Sequence, residues 1–219
     1  RKRGKNMNEM DLTQGKIGKA LLQFSIPFLL ASLLQAFYGA VDLFVVGQFS
    51  SSSGVSAVAT GSQVMQTLTG VILGISTGST ILIGQYLGAK KQAQIAQTIG
   101  TAICIFTIFA FCFTVIMTLL TPTLANVMHT PAEAMEETKQ YIFICSLGIP
   151  FIIGYNAVSG VFRGLGDSKT PLVLVAIACA INVMGDLILV AVFHMGAAGA
   201  AVATSVSQGV SFLLAVIYL

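Results

Sequence analysis

The chain has 219 residues, of which 55% are hydrophobic and 9% charged, with a formal net charge of +3. A soluble domain carries about 25% charged residues, so too little polar side chain is present to cover a soluble globule of this size. The small positive excess sits at the ends of apolar runs, which excludes a nucleic-acid-binding surface.

Residues 20–41, 43–89, 92–132, 140–162 and 187–219 contain no Asp, Glu, Lys or Arg. Apolar runs of about 18 residues or more predict transmembrane helices. Period-two alternation is absent, which argues against an outer-membrane barrel. The expected class is an all-α, polytopic membrane protein with six spans. Arg1 opens the chain, so the sequence is expected to be trimmed, tagged or a fragment, with Met7 a candidate native start. The first apolar run is too long for a signal peptide and lacks a small-residue cleavage site. Residues 1–16 read as a cytoplasmic segment and 17–219 as the six-span unit.

Span one is expected from Ile17 to Val46, with Pro27 inside it, and span two from Val55 to Ile83. Span three is expected from Ile95 to Leu120, closed by Thr121-Pro122. Span four runs from Tyr141 to Phe162 with a kink at Pro150. Span five opens on Pro171, a good first helical residue, and ends near Phe193. Span six runs from Ala197 to Leu219. Ten of the eleven Lys and Arg residues lie before or at the start of span one, at Lys90-Lys91, or at Arg163 and Lys169; Lys139 alone is on the other side. The positive-inside rule therefore puts both ends of the segment in the cytoplasm and Glu133, Glu136 and Glu137 outside. Gly70, Gly74 and Gly78, and the small residues 196–201, predict close helix packing.

Cys104, Cys112, Cys145 and Cys179 sit singly in apolar runs, without metal or redox spacing, and read as core residues. His129 and His194 fall in separate connections. Residues 164–170, Gly-Leu-Gly-Asp-Ser-Lys-Thr, faintly imitate a phosphate-binding loop. Ser168 stands where that motif needs Gly, and an apolar helix precedes it instead of a strand. It reads as a cytoplasmic turn in which Asp167 pairs with Arg163 or Lys169. No nucleophile and base are paired, so the chain does not read as an enzyme.

Two acids lie at membrane depth. Asp42 follows Ser32, Gln35 and Gly39 at steps of three or four, a polar stripe that faces protein or water. Asp186 lies mid-span, one turn after Asn182, and Thr204, Gln208 and Ser211 form a third stripe. An unpaired intramembrane carboxylate costs about 2.5–3.5 kcal/mol or more. No Lys or Arg lies at that depth, so the counter-charge must be a proton, a bound cation or a cationic substrate. For Asp42 the alternative is a residue near the outer interface that reaches water. Asn156, Ser159 and Tyr38 are candidate cavity-lining residues, with packing equally compatible.

The chain resembles the MATE (multidrug and toxic compound extrusion) transporters. The likeness rests on Pro27 followed by Asp42 and Val45-Val46-Gly47, on Gly84-Gln85-Tyr86-Leu87-Gly88-Ala89, and on residues 163–171, Arg-Gly-Leu-Gly-Asp-Ser-Lys-Thr-Pro. The resemblance implies a twelve-helix, two-lobe fold of which this is the amino-terminal lobe, with a second six-helix lobe expected after Leu219. It implies a cation site at Asp42, Asn182, Asp186 and Thr204, a hinge at Pro27, and exchange of Na⁺ or H⁺ for organic cations across the cytoplasmic membrane. No cofactor beyond the coupling ion is expected. The partners expected are membrane lipids and a small organic cation, with no nucleic acid. Gln35, Tyr38, Asn156, Ser159 and Gln208 are expected to line the cavity. The competing expectation is a flippase for lipid-linked precursors, which would call for cavity Arg or Lys residues; the spans contain none.

Overall fold

The structure is a computed structural model that describes residues 17–219. The segment 1–16, with Arg1, Lys2, Arg3, Lys5 and Lys16, lies outside the described residues. Six helices follow: α1 (Ile17–Phe49), α2 (Ser52–Gly88), α3 (Gln92–Val127), α4 (Met135–Gly164), α5 (Lys169–Asp186) and α6 (Gly196–Tyr218). A 3₁₀ turn, Ala132–Ala134, precedes α4, and a π-helical segment, Leu187–Val192, continues α5. All six are long and apolar enough to cross a membrane. Their outer faces are apolar, with Leu29, Leu33, Phe37 and Phe44 of α1 and Phe111 and Leu119 of α3 exposed.

Helix α4 is the hub. It packs on α2, α3 and α6, while α1 rests mainly on α5 and more lightly on α2. Ile142, Ile149 and Ile153 of α4 are fully enclosed with Val58 and Ile72 of α2. Without a hydrophobic force between helices in lipid, close backbone approach has to supply the attraction. Glycines on α4 provide it. A Cβ on Gly164 would lie 2.8 Å from the Ile83 Cβ and 2.9 Å from the Thr80 carbonyl oxygen. One on Gly160 would collide with the Ser76 hydroxyl, and one on Gly154 would lie 2.5 Å from the Phe212 ring. The small residues of α6 are packed as expected, with Ala197, Ala200 and Ala201 at 0–2% exposure.

The stripe Gly70, Gly74, Gly78 behaves differently. A Cβ at any of the three meets nothing within 4 Å. These glycines face open space, Gly70 on one cavity and Gly78 on another groove. Gly164→Leu should therefore lower thermal stability by about 1–3 kcal/mol, the usual cost of overpacking. Gly74→Leu should leave the melting temperature unchanged. Equal melting temperatures for both variants would contradict the packing described.

Several boundaries differ from expectation. Pro122 does not close span three, since α3 continues to Val127. An open helix end inside hydrocarbon would strand carbonyls at several kcal/mol each, so a membrane helix tolerates proline and runs on to water. Buried Thr121 steadies the preceding turn by donating to the Met117 carbonyl at 2.9 Å. Helix α3 ends at Val127, and two residues on His129, with a φ of +53°, takes the left-handed position that stops a helix; His194 does the same before α6 at +54°. Helix α5 begins at Lys169, not Pro171. Pro171 still sits in the first turn, where its missing N–H is no loss. Asp167 makes no ion pair with Arg163 or Lys169. Its Oδ1 accepts from the Lys169 and Thr170 amides, both at 3.0 Å, and so caps α5. Arg163 lies over the Phe28 ring, 5.5 Å from its centroid. Cys145 is buried as expected, but Cys104 and Cys112 are exposed on the outer face of α3.

The connections gather at two ends. Ser53 donates to Glu137 at 2.8 Å, joining the α1–α2 turn to the start of α4, and Gly196 lies against Ser50. Lys139 and Glu136 pair at 3.1 Å at this end. Lys90, Lys91, Arg163 and Lys169 all lie at the opposite end.

Candidate cation site and central cavity

Three helices deliver the polar cluster. Asp42 comes from α1, Asn182 and Asp186 from α5, and Thr204 from α6. Asn182 and Asp186, four apart, share a helical face. Gly185 lets α5 close on α6: a Cβ there would stand 2.9 Å from that of Ala203. That approach brings Thr204 between the two acidic helices. Thr204 Oγ1 donates to Asp42 Oδ2 at 3.0 Å, and Asn182 Nδ2 donates to Thr204 Oγ1 at 3.3 Å. The carboxyls of Asp42 and Asp186 are neighbours, close enough to influence each other electrostatically.

The cluster is dry. Asn182 and Asp186 are 0% exposed and Asp42 is 3% exposed, so Asp42 does not reach water at an interface. Four of its oxygens have no hydrogen-bond partner among the described residues: Asp42 Oδ1, Asn182 Oδ1, and both oxygens of Asp186. A buried polar atom left unpaired costs about 1–3 kcal/mol, more when charged. A shared proton or a bound cation answers that cost, because each supplies the positive partner that the chain does not. The oxygens are carboxylate and amide, the hard donors that alkali and alkaline-earth ions prefer. No group of three or more His, Cys, Asp or Glu that could hold a metal occurs among the described residues.

In front of the cluster lies a cavity of about 370 Å³. Gln35, Tyr38, Gly39 and Asp42 line it from α1, Tyr141, Cys145 and Asn156 from α4, and Thr204 and Gln208 from α6. Asp42 and Thr204 stand at its wall, while Asn182 and Asp186 lie behind them. Gln208 Nε2 donates to the Tyr38 hydroxyl at 2.7 Å, bracing α6 against α1 across the cavity.

A family model described as MatE matches residues 27–188. The chain belongs to the MatE family. Of its MatE relatives, the probable multidrug resistance protein YpnP of Bacillus subtilis (strain 168) is 32% identical over 212 residues, covering 97% of this chain and 48% of that protein. The multidrug export protein MepA of Staphylococcus haemolyticus (strain JCSC1435) is 26% identical, over 94% of this chain and 45% of its own length. A crystal structure of MATE in the bent conformation superposes with a TM-score of 0.91 at 23% identity, over 98% of this chain and 48% of that one. The chain thus spans about half the length of the curated relatives it matches, and its six helices have the MATE fold.

Within this MatE chain, four of the expected lining residues, Gln35, Tyr38, Asn156 and Gln208, do line the cavity. Ser159 does not: it is buried, with its hydroxyl unpartnered. Pro27 lies inside α1, one residue before the Phe28 ring that carries Arg163. Ser62, Gln66 and Thr69 of α2 also line the cavity, and their spacing of four and three is a readable polar stripe that was missed in the sequence. Tyr141 and Cys145 gave no such signal, being ordinary occupants of an apolar helix.

Proposed function

We propose that this chain is the amino-terminal lobe of an antiporter that exports organic cations in exchange for Na⁺ or H⁺. Asp42, Asn182, Asp186 and Thr204 hold the coupling ion. The observation that carries the reading is the set of four unpartnered buried oxygens on two facing carboxyls and an amide, with no cationic side chain beside them. The relatives, a probable multidrug resistance protein and a multidrug export protein by name, support the same reading. Two close carboxylates in a low dielectric do not both keep their charge without a counter-cation. The same pair therefore accepts either ion, and the two compete. An organic cation in the adjoining cavity is drawn to the bare acids and released once they are neutralised. No Lys or Arg lines that cavity, so a pyrophosphate-bearing flippase cargo is not proposed.

Pro27 supplies the bend by which α1 couples ion occupancy to cavity shape, because it removes one backbone hydrogen bond from the helix. The test is drug efflux by the full-length protein in vesicles under separate Na⁺ and pH gradients. Efflux driven by either gradient, and impaired in a normally inserted Pro27→Ala variant, is the expected result. Efflux indifferent to both gradients would overturn the coupling, and normal efflux in Pro27→Ala would overturn the hinge.

The end bearing Lys90, Lys91, Arg163 and Lys169 faces the cytoplasm, by the positive-inside rule. On a Cys-free background, single cysteines at Ser51 and Glu136 should label from outside intact cells. Cysteines at Lys90 and Asp167 should label only after permeabilisation. External labelling at Lys90 would reverse the orientation.

A further inference from the structure

Beside the central cavity, towards the end that bears Arg163 and Lys169, lies a much smaller cavity of about 50 Å³. Gln35, Leu73 and Asn156 line both, so the two adjoin. One face of α1 runs from the ion cluster down to the small cavity. Asp42, Gln35 and Phe28 recur on it at intervals of seven, two helical turns or about 10 Å. Asn156 and Arg163 of α4 keep the same interval in the opposite direction and line the same small cavity as Gln35 and Phe28.

The small cavity is polar inside. Ser168 is 3% exposed, lines it, and has a hydroxyl without a partner among the described residues. Ser32, Gln35 and Asn156 add a hydroxyl and two amides. Such a lining suits water, and at roughly 15 Å³ for each molecule there is room for about three. An organic cargo needs a pocket of about 300 Å³ or more, which the central cavity provides and this one does not.

The walls are not equally firm. Tyr155 donates its hydroxyl to the Pro171 carbonyl at 3.1 Å and ties α4 to the first turn of α5. Helices α1 and α4 do not pack on each other among the described residues. Side chains bridge them instead: Arg163, which makes no ion pair among the described residues, lies 5.5 Å from the centroid of the Phe28 ring. Phe28 follows Pro27, whose missing amide takes one rung from the α1 ladder, so the ring stands on a soft turn. A guanidinium in a narrow pore is a barrier to cations. Ring and charge together therefore close this end by bulk and by repulsion.

We propose that the coupling ion passes between its site and the cytoplasm through this small cavity within the lobe, with Phe28 and Arg163 as the gate. Cargo, too large for the passage, keeps to the central cavity. The proposal rests on the reading of the Asp42 cluster as the ion site and of the Arg163 end as cytoplasmic.

The test uses the full-length protein on a Cys-free background with Asn156→Cys at the junction of the two cavities. Inside-out vesicles present the cytoplasmic face to Ag⁺, a thiol reagent of alkali-ion size, or to a bulky impermeant maleimide. Phe28→Leu keeps an apolar side chain and removes the aromatic face; Arg163→Gln keeps a polar side chain and removes the charge. Each should speed the Ag⁺ reaction about fivefold, the equivalent of about 1 kcal/mol for a cation–π contact at a half-buried site. The maleimide rate should not change. Equal Ag⁺ rates in all three proteins would overturn the gate, and a maleimide rate raised as much as the Ag⁺ rate would overturn a passage separate from the cargo route. Accessibility is read without a gradient and efflux under one, so this proposal and the coupling reading fail separately.

Discussion

Asp186→Asn should leave a folded, inserted protein whose drug efflux no longer follows an imposed Na⁺ or pH gradient. Asp186 is fully buried and both of its oxygens lack a partner, so its carboxylate supports no internal hydrogen bond that Asn would break. The substitution removes the charge and keeps the shape. A hydrogen bond or contact to a charged group contributes about 1.5–3 kcal/mol, which corresponds to roughly 10- to 150-fold in ion affinity. Asp42→Asn should weaken coupling and also cargo binding, because Asp42 stands at the cavity wall. Thr204→Ala should affect Na⁺ dependence more than H⁺ dependence, since it removes an oxygen donor but no titrating group. It also frees the Asp42 and Asn182 side chains that Thr204 links at 3.0 and 3.3 Å. The measurement is efflux in vesicles under each gradient separately. Unchanged gradient dependence in both Asp→Asn variants would place the coupling site elsewhere.

The 219-residue chain on its own should give no gradient-driven uptake of an organic cation in proteoliposomes. Its cavity has walls on α1, α2, α4 and α6 and an open side. The unpacked Gly70 leaves the α2 flank bare there. Alternating access needs a second bundle to rock against the first, and the relatives matched are about twice this length. Full-length protein assayed in parallel should transport. Robust uptake by the lone six-helix segment, shown to be monomeric, would refute a two-lobe mechanism.

Much of this was legible before any coordinates. Charges and turn residues together divide the chain into six apolar spans, and the six helices follow that division, since a spanning segment must satisfy its own backbone. Asp42 and Asp186 stood out because a carboxylate at that depth has few uses, the family resemblance added Asn182 and Thr204, and Thr204 is hydrogen-bonded to both Asp42 and Asn182. The errors share one cause: a local pattern does not reveal what lies opposite it. Thr121-Pro122 looks like a stop, yet the surrounding hydrocarbon keeps the helix intact. Gly70, Gly74 and Gly78 look like a packing seam, but the seam is on α4, where Gly160 and Gly164 meet α2. Cys104 and Cys112 look like core residues, yet α3 is peripheral and turns them outward. Tyr141 and Cys145 gain their place at the cavity from the crossing of α4, which no periodicity within one helix encodes.

The π-helical stretch Leu187–Val192 begins directly after Asp186, and the Phe193 amide reaches back five residues to the Ile188 carbonyl at 3.0 Å. An α-helix turns about 100° per residue, and a π turn holds one residue more than an α turn. The stretch is the last turn of the span: Val192 closes it, and the chain leaves through Phe193 and the left-handed His194. With one residue more than an α turn would hold, that final turn releases the chain about 100° round from where a regular α-helix would, while Asn182 and Asp186 upstream keep their bearing. The segment thus sets the direction in which one span hands the chain on to the next.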